Sequence, residues 1–321
     1  MEIDTYRTVG KIHREIQDEI KKYVNPGTKL IDIAKFVESQ IRDRELNQLN
    51  DGIAFPVGLS LNNVAAHYTP NNNSLEVYRA EDILKVDFGV HIEGCIVDGA
   101  ISITHNPELK KLVDISIKTT ELAIQNSGPN KSLSNIGKII EDYIMEHDVM
   151  INSKMYNVKS FRDLCGHQIS QYKIHSGKAV PNINVIYPYQ MKMGEIYAIE
   201  PFLTTGRGKH FYNNNYNMVN HFMFDYKKYK DLESAKKHGF SQGLKQSDIN
   251  FLEYLYYNFR TLAFCPRWIE SSYESNNKQF RNLIKKGIIT DYPPICDCKG
   301  SYVAQHEKTI YITDNGVEVL N

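Results

Sequence analysis

The sequence predicts an α+β chain, a β-rich domain that carries one compact helical block late in its length. Three observations predict this. Residues 4–24 and roughly 29–44 repeat apolar side chains at the helical period. Strand-like apolar runs occupy about 53–67, 83–104, 161–175, 194–204 and 300–313. Between the last two runs, residues 224–291 change character and read as two helices and a turn.

The elements follow in order. The opening "MEIDTYRTVGKIHREIQDEIKKYV" is a charged amphipathic helix, which a signal peptide is not. "NPGT" at 25–28 stops it and starts the next helix, with Thr28 as the expected N-cap. The turn-rich "TPNNNS" at 69–74 leads to "ILKVDFGVHIEGCIVDGAISIT" at 83–104, which reads as a β-hairpin. Helices are expected at about 107–127 and 133–148. In the late block, "QSDINFLEYLYYNFRTLAF" opens on Ser and Asp and keeps the helical period, and "NNKQFRNLIKKGIIT" is a helix ending at Gly287. The halves echo each other: helices then an acid-bearing hairpin, helices then acid-bearing strands.

Composition excludes several functions. Lys plus Arg equals Asp plus Glu at 38 each, so no global charge grips nucleic acid or an anionic membrane. The basic pairs Lys227-Lys228 and Lys285-Lys286 read as solvated helix faces. No segment reaches the roughly 18 apolar residues that span a bilayer. Five cysteines at irregular spacing fit reduced thiols in a cytosolic protein. Cys296 and Cys298 have no second pair at zinc-site spacing and read as small buried hydrophobes.

The hairpin carries Asp87 and Asp98 inside apolar alternation. A loop centred on Ile92-Glu93 sets them directly opposite each other, and a loop one residue later sets them diagonal. Unpaired burial of two such acids costs several kcal/mol or raises their pKa values. A shared divalent cation removes the conflict. Glu200 in "EIYAIEPF" and Glu307 in "YVAQHEKTIYI" sit in further apolar strands, and His167 follows Gly166 in "LCGHQISQYKIHSGK". Four acids and one histidine suit two adjacent ions such as Mn, Co, Fe or Zn better than a four-coordinate structural zinc. A bridging hydroxide would serve as nucleophile at neutral pH.

These residues sit in "FPVGLSLNNVAAHYTP", "KVDFGVHIEGCIVDGA", "GHQISQYKIHSGK", "EIYAIEPF" and "YPPICDCKGSYVAQHEKTI". The segments resemble the methionine aminopeptidases, specifically the type 2 branch, in order and spacing over nearly the whole chain. The resemblance implies the pita-bread (creatinase/aminopeptidase-like) fold with pseudo-twofold halves. It makes 1–321 a single catalytic domain, with 224–291 as the helical insertion of type 2. It implies two metal ions: Asp87 on one, Asp98 and Glu307 bridging both, His167 and Glu200 completing the other, and Glu200 also as general base. His67 matches the histidine beside the scissile bond, which fumagillin-type epoxides alkylate. His175 matches the histidine that contacts the substrate backbone, and His221 resembles a third pocket histidine of type 2. The methionine pocket would be lined by Phe55, Ile174, His221, Tyr292 and Ile295.

The implied activity is removal of the initiator methionine from nascent polypeptides whose second residue is small. The implied setting is a cytoplasmic monomer that touches the ribosome transiently and needs neither nucleic acid nor membrane. Eukaryotic type 2 enzymes usually carry a charged N-terminal extension tied to ribosome association. This chain starts almost at the catalytic domain, so docking through such an extension is not expected. Pro201 after Glu200 and the Asn-rich loop 207–220 depart from the family pattern, the loop near the pocket entrance. Pita-bread relatives that bind RNA or protein without catalysis typically lose metal ligands, and all five are present here. Proline-directed relatives usually have an additional N-terminal domain, for which the chain has no room.

Overall fold

Helix α1 (Ile3–Tyr23) buries Tyr6, Val9, His13, Ile16 and Ile20, the stripe its period predicts. Gly27, at φ 99°, turns the chain into α2 (Leu30–Arg42). Lys29, not Thr28, is the N-cap; the Thr28 hydroxyl accepts the Asn25 N–H instead. No side-chain cap is needed there, because the Leu30 N–H is taken by the Glu76 carbonyl at 2.9 Å. The structure, a computed structural model, describes residues 3–44, 50–211, 219–237, 243–269 and 276–321.

Strands β1 (Asp51–Ile53), β2 (Gly58–Leu61), β3 (Val64–Ala66), β4 (Ile83–Ile92) and β5 (Cys95–Thr104) follow. The run 53–67 is thus three short strands. β1, β4 and β2, with β5 on β4, make an antiparallel sheet against α1 and α2, with Phe88, Val86, Ile96 and Ile16 in its core. Helices α3 (Pro107–Gln125) and α4 (Leu133–Met145) begin the second half. Asn106 caps the first with Pro107 at its start, and Ser132 caps the second.

Next come β6 (Asp148–Ile151), β7 (Lys154–Asn157), β8 (Lys159–Ser160), β9 (Cys165–Ile169), β10 (Ala179–Pro181), β11 (Ile196–Ile199) and β12 (Phe202–Thr204). The β6–β7 hairpin was not legible in the sequence: five of its eight residues are exposed and its burial does not alternate cleanly. Then come β13 (His221–Phe224), α5 (Tyr226–Lys237), α6 (Gln246–Phe259), a 3-10 turn (Pro266–Ile269) and α7 (Asn277–Lys285). Finally come β14 (Ile289–Tyr292), β15 (Ile295–Cys296), β16 (Val303–Gln305), β17 (Lys308–Ile312) and β18 (Val317–Val319). Among its described residues the late block therefore holds three helices and a 3-10 turn rather than two helices and a turn.

The second half mirrors the first: α3 and α4 cover an antiparallel sheet ordered β10-β9-β11-β17-β18 around Ile136, Ile140, Tyr197 and Ile310. The fold is the α+β pita-bread arrangement. Residues of α5, α6 and α7 pack a third core around Phe251, Leu255, Phe264 and Phe280. The halves meet where β5 runs beside β17. The Glu307 N–H donates to Ala100 O at 2.9 Å, and the Asp98 N–H donates to Thr309 Oγ1 at 2.8 Å. Asn321 is buried in the same seam, donating to Asp98 O and accepting from the Thr309 N–H. Of the C-x-C pair, Cys296 is buried and Cys298 only half-buried.

Candidate metal centre

The hairpin loop falls on Glu93-Gly94, the later of the two placements the sequence left open. Ile92 pairs with Cys95, so Asp98 faces Gly89 and Asp87 faces Ala100. The reason is the turn. A two-residue hairpin turn of type I′ needs positive φ at both central residues, and Glu93 and Gly94 supply 51° and 75°. The two aspartates are therefore diagonal neighbours on one face of the sheet. Gly89 keeps that face open: a Cβ there would lie 2.4 Å from the Phe55 ring.

The second half delivers its acids at interruptions of strands that the sequence presents as continuous. Glu200 lies between β11 and β12, where Pro201 cannot extend the ladder. Glu307 lies between β16 and β17 in the same way. In the run 161–175 only Cys165–Ile169 is strand; Ile174 and His175 lie in the turn beyond it. His167 enters on β9 behind Gly166, where a Cβ would meet Ala198 O at 2.4 Å. His167 Nε2 comes 3.7 Å from Asp98 Oδ2 and 3.3 Å from Glu200 Oε1. Ligand atoms of Asp98, His167 and Glu307 lie within 4.8 Å of one another.

Electrostatics favour a cation here. Burial, then the charge of Glu200, pushes Asp87 up to about 8. Asp98 and Glu307 are pushed well above the carboxylate range by burial and then by neighbouring acids, and Glu200 by burial. Asp87 Oδ1, Asp98 Oδ1 and Glu307 Oε1 are buried with no hydrogen-bond partner. Acceptors left bare among like charges fit divalent ions.

A cavity of about 250 Å³ opens on this cluster. Asp87, Asp98, His167, Glu200, Phe55, His67, Ile174, His175, His221, Tyr292 and Ile295 all line it. Glu307 is the exception: it is 1% exposed and lies beneath the wall beside Asp98 and His167. His67 stands 5.7 Å from the Tyr292 ring and 6.0 Å from that of His221, and His175 sits edge-on to His167 at 4.3 Å. His67 holds φ 63°, a left-handed conformation rare outside glycine, of the kind that gathers at functional sites. Burial, then the His175 charge, lowers His67 to about 4, and burial alone lowers His167 to about 4. Both imidazoles are neutral at pH 7.

Sequence reading missed several wall residues, among them Leu164, Cys165, Met223 and Ala263. It also passed over Gln305, whose Nε2 lies 3.4 Å from Glu200 Oε2 and 3.3 Å from Glu307 Oε2. The available signal was an amide two residues before a proposed ligand in an apolar strand. Most of the Asn-rich loop, 212–218, lies outside the described residues, so its expected effect on the entrance does too.

An acid-and-histidine cluster at the seam of two like halves defines a metallopeptidase. The model of Metallopeptidase family M24 matches residues 4–244, and the chain belongs to that family. Among solved structures, a methionine aminopeptidase of Thermotoga maritima has a TM-score of 0.65 at 18% identity, covering 99% of this chain and 96% of that one. A thermophilic Arx1 has a TM-score of 0.77 at 16% identity, covering 99% and 90%. At such identities they speak for the fold alone. Methionine aminopeptidase 2A of Arabidopsis thaliana is 36% identical over 323 residues, 99% of this chain and 70% of that protein. Within the family the chain stands with the type 2 methionine aminopeptidases, as a methionyl aminopeptidase that releases N-terminal methionine.

Proposed function

We propose that the chain removes the initiator methionine from nascent polypeptides in the cytoplasm, when the second residue is small. Asp87, Asp98, His167, Glu200 and Glu307 would hold two divalent ions, Mn, Co, Fe or Zn. When bound, such ions polarise the scissile carbonyl and make water nucleophilic at neutral pH. Four carboxylates match the charge of two dications.

The remaining work falls to side chains. Glu200 accepts the proton of the attacking water and passes it to the leaving amine. His67, neutral at pH 7, donates an N–H to the carbonyl oxygen as charge develops there. His175 holds the substrate backbone. The methionine side chain lies among Phe55, Ile174, His221, Tyr292 and Ile295, where its thioether meets aromatic edges. The free substrate amine sits on the Asp87 side, which restricts cleavage to the first residue. The modest cavity, about 250 Å³, supports the small-residue rule.

Residues 224–291 act as an insertion in this reading. β13 pairs with β14, so the chain leaves and returns through one ribbon, and the helices between have their own core. His221 and Tyr292 are opposite each other on that ribbon, which couples the block to the pocket. We take the active form to be a monomer whose partners are polypeptide N-termini.

The observation that carries this reading is the meeting of Asp87 and Asp98 from one half with His167 and Glu200 from the other in a cavity that also holds His67 and His175. The test is turnover of Met-Ala-Ser and Met-Lys-Ser by chelator-stripped protein refilled with Mn or Co, read by mass spectrometry. Metal-dependent loss of methionine from the alanine peptide alone is expected. Cleavage of neither peptide by metal-loaded protein would overturn it.

A further inference from the structure

Gln305 sits where the two interrupted strands meet. It is the last residue of β16, is 0% exposed, and pairs across the sheet with Phe202, two residues beyond Glu200. Its backbone is held twice by one hydroxyl: the Gln305 N–H donates to Ser102 Oγ at 2.9 Å, and Ser102 Oγ donates back to Gln305 O at 2.8 Å. The side chain thus starts from an immobile point.

Its amide divides the oxygens of two glutamates. Gln305 Nε2 lies 3.4 Å from Glu200 Oε2 and 3.3 Å from Glu307 Oε2. Each carboxylate keeps its other oxygen free of the amide. Glu200 Oε1 faces His167 Nε2 at 3.3 Å, and Glu307 Oε1 is buried with no partner. The amide must present nitrogen rather than oxygen here, since both neighbours are acceptors. A fifth acid at 305 would add repulsion, and a lysine would add a positive charge beside the ions. An uncharged double donor is the side chain that orients both acids without altering the charge of the site.

We propose that Gln305 is a positioning residue that sets which oxygen of Glu200 and which oxygen of Glu307 face the metal ions. This rests on the metal-centre reading above. Outer partners of metal ligands typically contribute about 10–100-fold in affinity or activity. The same size of effect is expected here.

The test titrates Mn²⁺ and Co²⁺ into wild-type protein and Gln305→Met by calorimetry, and records the Co²⁺ d–d spectrum of each. Methionine keeps the length and loses the donor. The variant should keep the wild-type circular dichroism and thermal midpoint in chelator. It should bind both ions roughly 10–100-fold more weakly, with a shifted Co²⁺ spectrum and a fall in kcat larger than any change in KM. Binding within about twofold of wild type, with an unchanged spectrum, would overturn the proposal. Should Gln305→Met not fold, the isosteric Gln305→Glu is used, and an unshifted Co²⁺ spectrum in it overturns the proposal equally. If wild-type protein binds neither ion, the metal-centre reading itself falls, and this role with it.

Discussion

Asp98 Oδ2 lies 3.7 Å from His167 Nε2, although one residue stands on the hairpin of the first half and the other on the sheet of the second. The pair spans the seam between the two cores. Ions held there would tie the halves together, so occupancy and stability should be linked.

That linkage gives the first prediction. At Mn²⁺ about a hundredfold above its dissociation constant, stabilisation should be roughly 2.7 kcal/mol, enough to raise Tm by several degrees over chelator-treated protein. Asp98→Asn should lose this rise and lose more activity than the ~10–100-fold of an outer partner, while its Tm in chelator stays near wild type or higher. Scanning fluorimetry with Mn²⁺ and with chelator decides it; a wild-type metal response in Asp98→Asn excludes Asp98 as a ligand.

Glu200→Gln removes the proposed proton acceptor but keeps the shape of the side chain. Its kcat should fall roughly 10²–10⁴-fold, with KM for Met-Ala-Ser changing far less. Steady-state kinetics on metal-loaded protein measures both. A kcat within a few fold of wild type would assign the proton to another group.

His67 holds a left-handed backbone at φ 63°, which costs an L-residue about 1–2 kcal/mol. Glycine removes that strain but gains chain entropy when unfolded. His67→Gly should therefore match wild-type stability within about 1 kcal/mol in urea unfolding, because these effects oppose each other. Activity should still drop about a hundredfold, the loss expected for one oxyanion-stabilising donor. A large destabilisation would mark His67 as a packing residue.

Acid stability should depend on His13, which does not line the cavity but packs behind the hairpin against Phe88 and Gly99. It is buried and stacked on Phe88, its Nε2–H donating to Phe88 O, and burial lowers its pKa from 6.5 to about 3. Between those values the unfolded chain binds a proton that the folded chain refuses. The folded state therefore loses stability as pH falls from about 6.5 towards 3, by up to a few kcal/mol. His13→Gln should show a shallower decline of unfolding free energy over that window than wild type. Parallel slopes would show that His13 takes no part.

The candidate ligands were legible because acids in apolar strands are unusual enough to need a partner. Asp87, Asp98, Glu200 and Glu307 stood out on that ground alone. The wall residues Leu164, Met223 and Ala263 did not, since apolar side chains at a cavity look like any core. Gln305 was hidden because a neutral amide in a strand creates no conflict until its neighbours are known.

By itself the sequence determined the four helices before the late block, the existence of the hairpin, the helical character of the late block and the candidate acids of the cluster, though not α5. Periodicity and charge burial are local properties that one chain carries on its face. Tertiary structure alone decided three things. The positive φ of Glu93 and Gly94 set the hairpin register and made the aspartates diagonal. The strand interruptions at Glu200 and Glu307 turned two acids towards one point, because each flanking strand joins a different sheet. The seam of Asp98, Thr309 and Asn321 brought residues 98 and 309 into hydrogen-bond contact. Each depends on pairing between distant segments, and no local pattern encodes such pairing.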